Sequence, residues 1–424
     1  MTFETISVVG LGYIGLPTAA MFASRKKNVI GVDINHDAVK TINEGRIHIV
    51  EPELDMIVHA AVKEGYLRAS TTAEPADAFL IAVPTPFKTE LSEGIPTPDL
   101  SFIKSASESI APVLKKGDLV ILESTSPVGT TEQLADWLSV MRPDLSFPQN
   151  SGDNADVNIA HCPERVLPGH VVRELVENDR VIGGISPRCS EKSVELYRTF
   201  VQGDCVITNA RTAEMAKLTE NSCRDVQIAF ANELSLICDD LNIDVWELIS
   251  LANRHPRINI LNPGPGVGGH CIAVDPWFIV SRSPNIAKLI HQARLVNDSK
   301  PDWVIDKTKA QILDFLSKHP DADMKDLELV CYGLAFKADI DDLRESPALS
   351  IVERLSKELS CKIKVVEPNI QTLPKSLSGV ASVALIGLGD PRCIGDVNLI
   401  LVDHKEFDNL SIDKEFLVDT RGIV

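Results

Sequence analysis

The chain has 424 residues, a formal net charge of −18 at pH 7 and nine cysteines. Its length exceeds what one ordinary hydrophobic core supports, so we expect two or three domains. The negative field repels phosphates and argues against nucleic acid and anionic membranes as partners. The cysteines are odd in number and never spaced C-x-x-C, which indicates reduced thiols and no metal site. With no secretion signal and no apolar run long enough to span a bilayer, the sequence favours the cytoplasm.

The first third of the chain alternates short apolar runs with helical patterns. The predicted strands are residues 5–10, 29–33, 78–83 and 119–123, and the predicted helices include residues 13–24 and 102–114. This alternation is typical of a parallel sheet with helices on both faces. We therefore predict an α/β protein whose N-terminal, Rossmann-like domain spans residues 1–205.

Helical periodicity dominates the middle of the chain. Long helices are predicted over residues 208–253 and 287–318, the second broken or kinked near Pro301. They define a central helical region, residues 206–318, with a long connecting helix and a predicted homodimer interface. Strands are predicted again at residues 327–332, 363–366, 398–402 and 416–418, with a helix at 348–359. They indicate a smaller Rossmann-like domain over residues 319–424.

A glycine turn, GLGYIG, follows the first predicted strand and opens the first helix. Backbone N–H groups and the helix dipole at such a turn can hold a pyrophosphate, although a turn that binds nothing is the alternative. The carboxylate of Asp33 ends the second predicted strand, where it can bind the ribose hydroxyls of adenosine. No arginine follows Asp33 to hold a 2′-phosphate. The pattern therefore predicts NAD rather than NADP. The predicted cofactor contacts here are Gly10, Gly12, Tyr13, Ile14, Gly15 and Asp33.

Two further loops, VPTP and ESTSPVG, each follow a predicted strand of the first domain. Ligands of open parallel sheets bind outside the carboxyl ends of the strands. Thr85 and Thr125 in these loops are therefore predicted to line the cofactor. Prolines that merely stiffen two loops are the alternative reading.

Lys217 and Asn221 are four residues apart on one predicted helix, and Arg224 follows on the same face. A lysine and an amide that point at one oxygen could stabilise an alkoxide. A solvated helix face is the alternative. Apolar neighbours on the helix favour partial burial, which would help Lys217 to exchange protons.

A single cysteine, Cys271, ends the glycine-rich run GPGVGGHC. Glycines allow a ligand to approach the backbone closely, and a thiolate there could attack a carbonyl. This combination suggests an enzyme that holds an oxidised substrate as a thioester. A buried cysteine after a turn is the alternative, which the glycines and Asp275 disfavour. His270 is expected to orient the loop rather than to form a dyad with its neighbour.

Taken together, the glycine turn, VPTP, ESTSPVG, CPERVLPG, TAEMAKLTEN, GPGVGGHC and FKADIDDLRES resemble the UDP-glucose/GDP-mannose dehydrogenase family over essentially the whole chain. The resemblance implies an NAD domain, a helical dimerisation region and a C-terminal domain that binds a UDP sugar. It also implies a four-electron oxidation of the C6 alcohol to a carboxylate with two NAD⁺, for bacterial surface polysaccharide synthesis.

The resemblance also implies roles for individual residues. Cys271 would form the thiohemiacetal and thioester, while Lys217 and Asn221 would stabilise the oxyanion. Asp275 would help Lys217 to order or activate water, and Glu164 would lie near the nicotinamide and that water. The implied NAD contact from the C-terminal domain is Arg344. The implied substrate contacts are Arg165, Val166, Lys217, Asn221, Arg224, His255, Arg257, Gly268, Lys337 and Arg421.

One departure from the family pattern bears on the substrate. UDP-glucose 6-dehydrogenases typically carry a second glutamate four residues after the first, where this chain has Pro168. The resemblance therefore favours the branch that acts on N-acetylated UDP sugars, with UDP-N-acetylmannosamine as the expected substrate. UDP-N-acetylglucosamine and UDP-glucose remain alternatives. A two-electron NAD dehydrogenase and a non-catalytic nucleotide-sugar sensor are the more distant readings.

Overall fold

The computed structural model describes residues 3–49, 51–88, 94–166, 169–269, 271–390, 393–408 and 410–424. The chain forms two compact units, Met1–Glu220 and Asn221–Val424. The boundary between the units falls inside one 31-residue helix, Ala210–Asp240. The division into three domains at residues 205 and 318 stays a prediction.

The first unit is built on an eight-stranded sheet in the order β3-β2-β1-β4-β5-β6-β7-β8. Its strands are β1 (Thr5–Val9), β2 (Asn28–Val32), β3 (Leu67–Ser70), β4 (Ala78–Ile81), β5 (Leu119–Leu122), β6 (Asn158–His161), β7 (Arg180–Gly184) and β8 (Cys205–Asn209). Its helices are α1 (Gly15–Ser24), α2 (His36–Asn43), α3 (Leu54–Lys63), α4 (Ser101–Ile110), α5 (Thr130–Met141), α6 (Pro148–Ser151), α7 (Val171–Glu177) and α8 (Pro187–Tyr197). All neighbouring strands are parallel except β6 and β7.

The strands of this sheet are apolar on both faces because both faces are covered. In β5, Leu119 and Ile121 contribute to one hydrophobic core, and Val120 and Leu122 contribute to the other. Helix α1 is apolar almost all round, and nine of its ten residues are buried. Continuous apolar strands of this kind are typical of a doubly wound sheet. The predicted α/β fold is confirmed.

The second unit begins within α9 (Ala210–Asp240) and continues with α10 (Val245–Ala252), α11 (Asp275–Arg282), α12 (Lys288–Lys318) and α13 (Pro347–Glu358). Its five strands are β9 (Glu328–Tyr332), β10 (Lys362–Val366), β11 (Val383–Ile386), β12 (Val397–Ile400) and β13 (Leu417–Asp419). They form a parallel sheet in the order β11-β10-β9-β12-β13. This is a second, smaller Rossmann-like arrangement, as the sequence predicts.

Helix α12 runs through Pro301 as one element of 31 residues, so the helix is not broken there. Proline removes one intrahelical hydrogen bond and costs about 3 kcal/mol in a helix interior. Buried contacts on both sides offset that cost. Asn297, one turn before the proline, donates to Asp225 at 2.8 Å, and Val304 lies in the hydrophobic core one turn after it. Within the described part of the chain, none of the helices has the length and apolar character that crossing a membrane requires.

Candidate functional site

The glycine turn between β1 and α1 has the geometry that a dinucleotide needs. Gly10 adopts φ +92°, a conformation that favours glycine, and a Cβ at Gly15 would overlap the carbonyl oxygen of Gly10. A Cβ at Gly12 would point into open space, so this glycine leaves room for a ligand at the backbone. These are the three tasks of glycines in a pyrophosphate-binding turn: a tight bend, close ligand approach and close helix packing. The residues present therefore fit NAD.

Asp33 lies directly after β2 and is tied to the glycine turn. Its Oδ2 accepts from the backbone N–H of Leu11 at 2.9 Å, and its Oδ1 accepts from that of Asn35 at 2.9 Å. The carboxylate is only partly buried. Each oxygen retains a second lone pair, so the fixed carboxylate can still accept from ribose hydroxyls.

The two loops after β4 and β5 meet, as their positions in the sheet require. The hydroxyl of Thr85 donates to the backbone carbonyl of Thr125 at 2.7 Å. Ser124, beside it, donates to the carbonyl of Val83 at 2.7 Å. The structure thus brings Thr85 and Thr125 together at the carboxyl edge of the first sheet.

Glu164 follows β6 and is buried, which excludes the surface position that a loop carboxylate would normally take. Its Oε2 lies 2.8 Å from Nη1 of the buried Arg180, and its Oε1 accepts from the N–H of Arg165 at 2.7 Å. Arg180 lies over the Tyr197 ring at 4.8 Å. The Tyr197 hydroxyl donates to Glu123 at 2.6 Å, so two buried carboxylates share one cationic neighbourhood.

The environment of Glu123 shifts its titration strongly. Burial raises the pKa of Glu123 to about 7, and Arg180 opposes this rise only in part. Burial also lowers the pKa of His161 to about 3, so this histidine is neutral at pH 7. The sequence analysis did not select Glu123 or Arg180. The signal for Glu123 was its place at the end of the predicted buried strand 119–123, because a buried charge needs a partner. No strand was predicted around Arg180.

Arg165, a predicted substrate contact, is paired within the first unit. Its Nη2 lies 2.6 Å from Oε1 of Glu220 on α9, and its Nη1 donates to the carbonyl of Asp179 at 3.3 Å. Val166 packs partly buried against the core of the same unit. Pro168 lies outside the described residues.

The N-terminal part of α9 is anchored to the first unit by Glu214. This buried carboxylate accepts from the backbone N–H groups of Gly129 and Thr131, at 2.6 and 2.7 Å. Lys217 follows one turn later and is half-buried. Helix geometry places Lys217 and Asn221 one turn apart on the same face.

Asn221 contacts the cysteine segment directly. Its Nδ2 donates to Oδ2 of Asp275 at 2.5 Å, and Asp275 is buried at the start of α11. The backbone N–H of Asp275 donates to the carbonyl of Cys271 at 2.9 Å, in a turn that also includes Val274. Cys271 itself is exposed and forms no disulfide. The structure therefore gathers three of the predicted catalytic residues, Asn221, Asp275 and Cys271, within the second unit.

The glycines before Cys271 are packed against protein. A Cβ at Gly268 would lie 2.5 Å from the Glu345 carbonyl oxygen and 2.8 Å from Phe336, and one at Gly269 would lie 3.0 Å from the Phe336 ring. Gly269 also has φ +83°. Sequence reasoning assigned these glycines to ligand approach. The structure shows that the segment after β9 already occupies the space beside them.

The predicted anion contacts of the second unit occupy different environments. Arg421 pairs with Asp403 at 2.7 Å, and a Cβ at Gly264 would lie 2.7 Å from its guanidinium. Arg344 forms an ion pair of 2.6 Å with Asp342, and Lys337 is exposed. Arg421 is thus held beside the loop that leads to Cys271.

Three further predicted substrate contacts are exposed on the second unit: Arg224 on α9, and His255 and Arg257 just after α10. The Nδ1 of His255 accepts from the backbone N–H of Arg257 at 3.3 Å, so the two residues share one turn. His270 lies outside the described residues.

One cluster has the composition of a metal site. Among the described residues, Asp339, His404 and Glu406 place one donor atom each within 4.8 Å of the others. Both ring nitrogens of His404 already have protein partners, Glu367 on Nε2 and the backbone N–H of Asp339 on Nδ1. A metal would have to displace one of them, and we assign none.

The glycine turn and Asp33 define an NAD-binding protein of the doubly wound α/β class. Models of the UDP-glucose/GDP-mannose dehydrogenase family match the chain in three parts: the NAD binding domain at residues 4–201, the central domain at 211–299 and the UDP binding domain at 330–424. The chain belongs to this family. It is an NAD-dependent nucleotide-sugar 6-dehydrogenase.

Individual relatives are similar over their whole lengths. The chain is 62% identical to UDP-N-acetyl-D-mannosamine dehydrogenase of Yersinia pestis, with 100% of both chains covered. It is 60% identical to NDP-N-acetyl-D-galactosaminuronic acid dehydrogenase of Ralstonia nicotianae, with 99% of this chain and 96% of the relative covered. A solved UDP-D-ManNAc dehydrogenase of Pyrococcus horikoshii has a TM-score of 0.83 at 37% identity and covers 99% of this chain and 96% of its own.

Proposed function

We propose that this protein oxidises the C6 hydroxyl of UDP-N-acetylmannosamine to a carboxylate through a thioester on Cys271. The observation that carries the chemistry is the arrangement around that thiol. Cys271 is exposed, and the turn that follows it fixes Asp275 against Asn221. The second unit thus combines a nucleophile and a carboxylate on one turn with an amide donor from α9.

The reaction divides into two oxidations and a hydrolysis. The C6 hydroxyl loses its proton and C6 loses a hydride, which gives an aldehyde. The Cys271 thiolate adds to this carbonyl and forms a thiohemiacetal, so the aldehyde does not escape. Loss of a second hydride leaves a thioester, and water then releases the carboxylate and the thiol. Two NAD⁺ molecules, bound in succession, would each accept one of the two hydrides.

Each catalytic side chain has a physically reasonable task in this proposal. Lys217 and Asn221, on one face of α9, stabilise the alkoxide and the tetrahedral oxyanions. Asp275 orients Asn221 and helps Lys217 to activate the water. Glu164 pairs with Arg180 through one oxygen and accepts from the Arg165 N–H with the other, so its side chain is held in place and can order its surroundings.

The substrate assignment rests on the relatives. A mannosamine dehydrogenase at 62% identity supports UDP-N-acetylmannosamine. The galactosaminuronic acid dehydrogenase at 60% identity makes a UDP-N-acetylgalactosamine-type sugar the second candidate. Both relatives are named for N-acetylated sugars, which agrees with the expectation from Pro168. Surface polysaccharide synthesis in the cytosol is the role that this substrate favours.

The stoichiometry of reduction tests the proposed chemistry. A limiting amount of UDP-N-acetylmannosamine is incubated with excess NAD⁺, and the NADH formed is measured by absorbance. We expect two NADH for each sugar and an acidic product. One NADH for each sugar would instead favour a simple alcohol dehydrogenase, and none with any UDP sugar would favour a sensor.

We also propose that the protein is a homodimer. Helix α9 exposes Phe230 and Ile237, which are 51% and 47% exposed, and Leu241, directly after the helix, is 59% exposed. An apolar strip of this kind is typical of a protein interface. Sedimentation should show a dimer for the wild type and a monomer for Phe230→Glu. Val140→Glu, at an apolar residue on α5 that is even more exposed, serves as the control and should remain dimeric. A monomeric wild type would refute the proposal.

A further inference from the structure

The turn after β9 in the second sheet repeats the turn after β1 in the first. Gly333 has φ +92°, as Gly10 does, and its N–H donates to the carbonyl of Val366 at 2.8 Å, as that of Gly10 donates to Val32. The next N–H in each turn donates to a carboxylate that follows the second strand. Leu11 donates to Asp33 at 2.9 Å, and Leu334 donates to Glu367 at 2.7 Å. Glu367 therefore holds the position in the second sheet that Asp33 holds in the first.

The two carboxylates differ in what covers them. Asp33 is partly exposed, whereas Glu367 is 4% exposed and lies under His404, which is fully buried. Glu367 also accepts from the N–H groups of Ala335 at 3.1 Å and Asn369 at 3.0 Å. Burial alone would raise its pKa, but hydrogen bonds from His404, Leu334 and Asn369 outweigh burial and lower the pKa of Glu367. Glu367 stays ionised and is engaged by protein.

The contacts of His404 fix its tautomer. Its Nδ1 accepts from the backbone N–H of Asp339 at 2.9 Å and lies 3.1 Å from Nδ2 of Asn369, so it carries no proton. Its Nε2 lies 3.0 Å from Glu367 and must therefore be the donor. Asp339 has φ +61°, an uncommon conformation for a residue with a side chain. His404 thus holds a strained backbone position.

His404 and Glu367 together hold both ends of residues 334–339. Glu367 binds the N–H groups at the start of this segment, and His404 binds the N–H at its end. The segment carries the exposed Lys337 and also Phe336, whose Cβ lies against Gly268 and whose ring lies against Gly269, just before the proposed nucleophile Cys271.

We propose that His404 and Glu367 are positioning residues that fix segment 334–339, so that Lys337 meets the UDP sugar and Phe336 supports the Cys271 loop. This inference rests on the proposed function for the role of Lys337, and it assigns to the buried pair a part in substrate affinity and in thiol reactivity. It also explains why the acidic residue after β10 is covered, whereas the corresponding residue after β2 is open.

Two substitutions of His404 distinguish a positioning role, which depends on its hydrogen bonds, from a packing role, which depends only on its volume. In His404→Asn the side-chain oxygen takes the place of Nδ1 and can accept from Asp339, although the donor to Glu367 is lost. In His404→Gln the amide nitrogen takes the place of Nε2 and can donate to Glu367, but the Asp339 N–H loses its acceptor. Glutamine is the larger of the two, so a pure packing role predicts that it is tolerated better. Positioning predicts the opposite order.

The first measurement is equilibrium binding of UDP by calorimetry, which requires no turnover. We expect His404→Gln to weaken UDP about tenfold, because an unsatisfied buried N–H costs enough to release the segment, and His404→Asn to stay within about threefold of the wild type. NAD⁺ affinity should be unchanged in both variants. In steady state, KM for the sugar should rise more than kcat falls. Thermal unfolding of each variant identifies any that does not fold.

The second measurement is the rate at which iodoacetamide alkylates Cys271, read by mass spectrometry in a Cys223→Ser background. We expect this rate to change at least threefold in His404→Gln and to recover in His404→Asn.

Equal UDP affinity and equal alkylation rates in all three proteins would overturn the inference, as would a ranking that follows side-chain size. If the wild type binds UDP but oxidises no N-acetylated sugar, the proposed substrate fails while these comparisons still decide the inference. If UDP does not bind, the alkylation rates decide it alone.

Discussion

Asn221 donates to Asp275 through its side-chain amide at 2.5 Å, and this bond joins α9 to the first residue of α11. A carboxylate accepts but cannot donate, so it fixes which way round the amide lies. The Asn221 nitrogen faces Asp275, and its second N–H remains for another acceptor. In the proposed mechanism Asp275 therefore sets the orientation of the amide that donates to the oxyanion, from a position one turn after Cys271.

Asp275→Asn tests these two tasks separately. The asparagine oxygen can still accept from Asn221, so the orientation should survive while the charge that assists hydrolysis is lost. We expect uronate formation to fall about 100-fold, as for loss of a general base, and the thioester to accumulate on Cys271. Intact mass spectrometry after quenching measures the adduct. If the variant turns over at the wild-type rate and no adduct is detected, Asp275 has no part in hydrolysis.

Cys271→Ser should reduce uronate formation by about 10³-fold or more, because serine is nearly isosteric but a far weaker nucleophile at neutral pH. NAD⁺ affinity and the unfolding temperature should not change. Cys223→Ser is the matched control, since Cys223 is also exposed. Substantial acid production by the Cys271 variant would rule out the thioester.

Asp33→Ala should weaken NAD⁺ binding about 10-fold to 100-fold, because it removes a charged acceptor of the ribose and the acceptor of the Leu11 N–H. Calorimetry with NAD⁺ measures the effect, and UDP binding serves as the internal control. Unchanged NAD⁺ affinity would mean that the cofactor lies elsewhere.

Much of the fold could be predicted because its strands are apolar runs between glycine turns. The predicted strands at residues 5–10 and 119–123 correspond to β1 and β5. The sequence analysis missed β3, β6, β7, β8 and β11. Of these strands, β6 contains the buried polar residues Asn158 and His161, and β8 is largely exposed. Neither strand presents an apolar run or a clean alternation. Their pairing depends on neighbours that are distant in the sequence.

The candidate site was predictable only where a motif is local. The glycine turn and Asp33 could be paired because the two lie one βαβ unit apart. The partners of Glu164 and of the segment around Lys337 could not be predicted, because Arg180 on β7 and His404 after β12 are distant from them in the sequence. A weak signal existed for Glu367: it follows the second strand of its sheet, as Asp33 does.

Glu123→Gln should reveal the raised pKa of Glu123 as a pH-dependent difference in stability. The folded-state pKa of about 7 exceeds the ordinary value of 4.5. The neutral carboxyl therefore makes its whole contribution to the free energy of unfolding below pH 4.5, and this contribution is lost as the pH rises through 7. Glutamine does not titrate and can still accept from Tyr197. We expect equal unfolding free energies near pH 4 and an advantage for glutamine of about 3 kcal/mol above pH 7. Urea titrations at pH 4.5, 6 and 8 measure this, and a difference independent of pH would contradict it.

UDP-N-acetylmannosamine should be oxidised with a kcat/KM about 10⁴-fold higher than that of UDP-glucose, because a pocket that hydrogen-bonds an acetamido group leaves polar atoms unpaired without it. The panel includes UDP-N-acetylglucosamine, UDP-N-acetylgalactosamine and GDP-mannose. Efficient oxidation of UDP-glucose would leave the family assignment intact and refute this substrate.

The packed glycines before Cys271 also bear on which changes the protein can tolerate. Alanine at Gly268 would meet the Glu345 carbonyl, and alanine at Gly264 would meet the Arg421 guanidinium. A mutational scan should therefore find Gly268 as intolerant as the cysteine, because the barrier there is a backbone atom, whereas the Arg421 guanidinium beside Gly264 is the end of a flexible side chain and can move. Substitutions in this glycine-rich loop should be tolerated only together with substitutions in residues 336–347, which pack against it. Among descendants of this chain, the two segments should therefore change together.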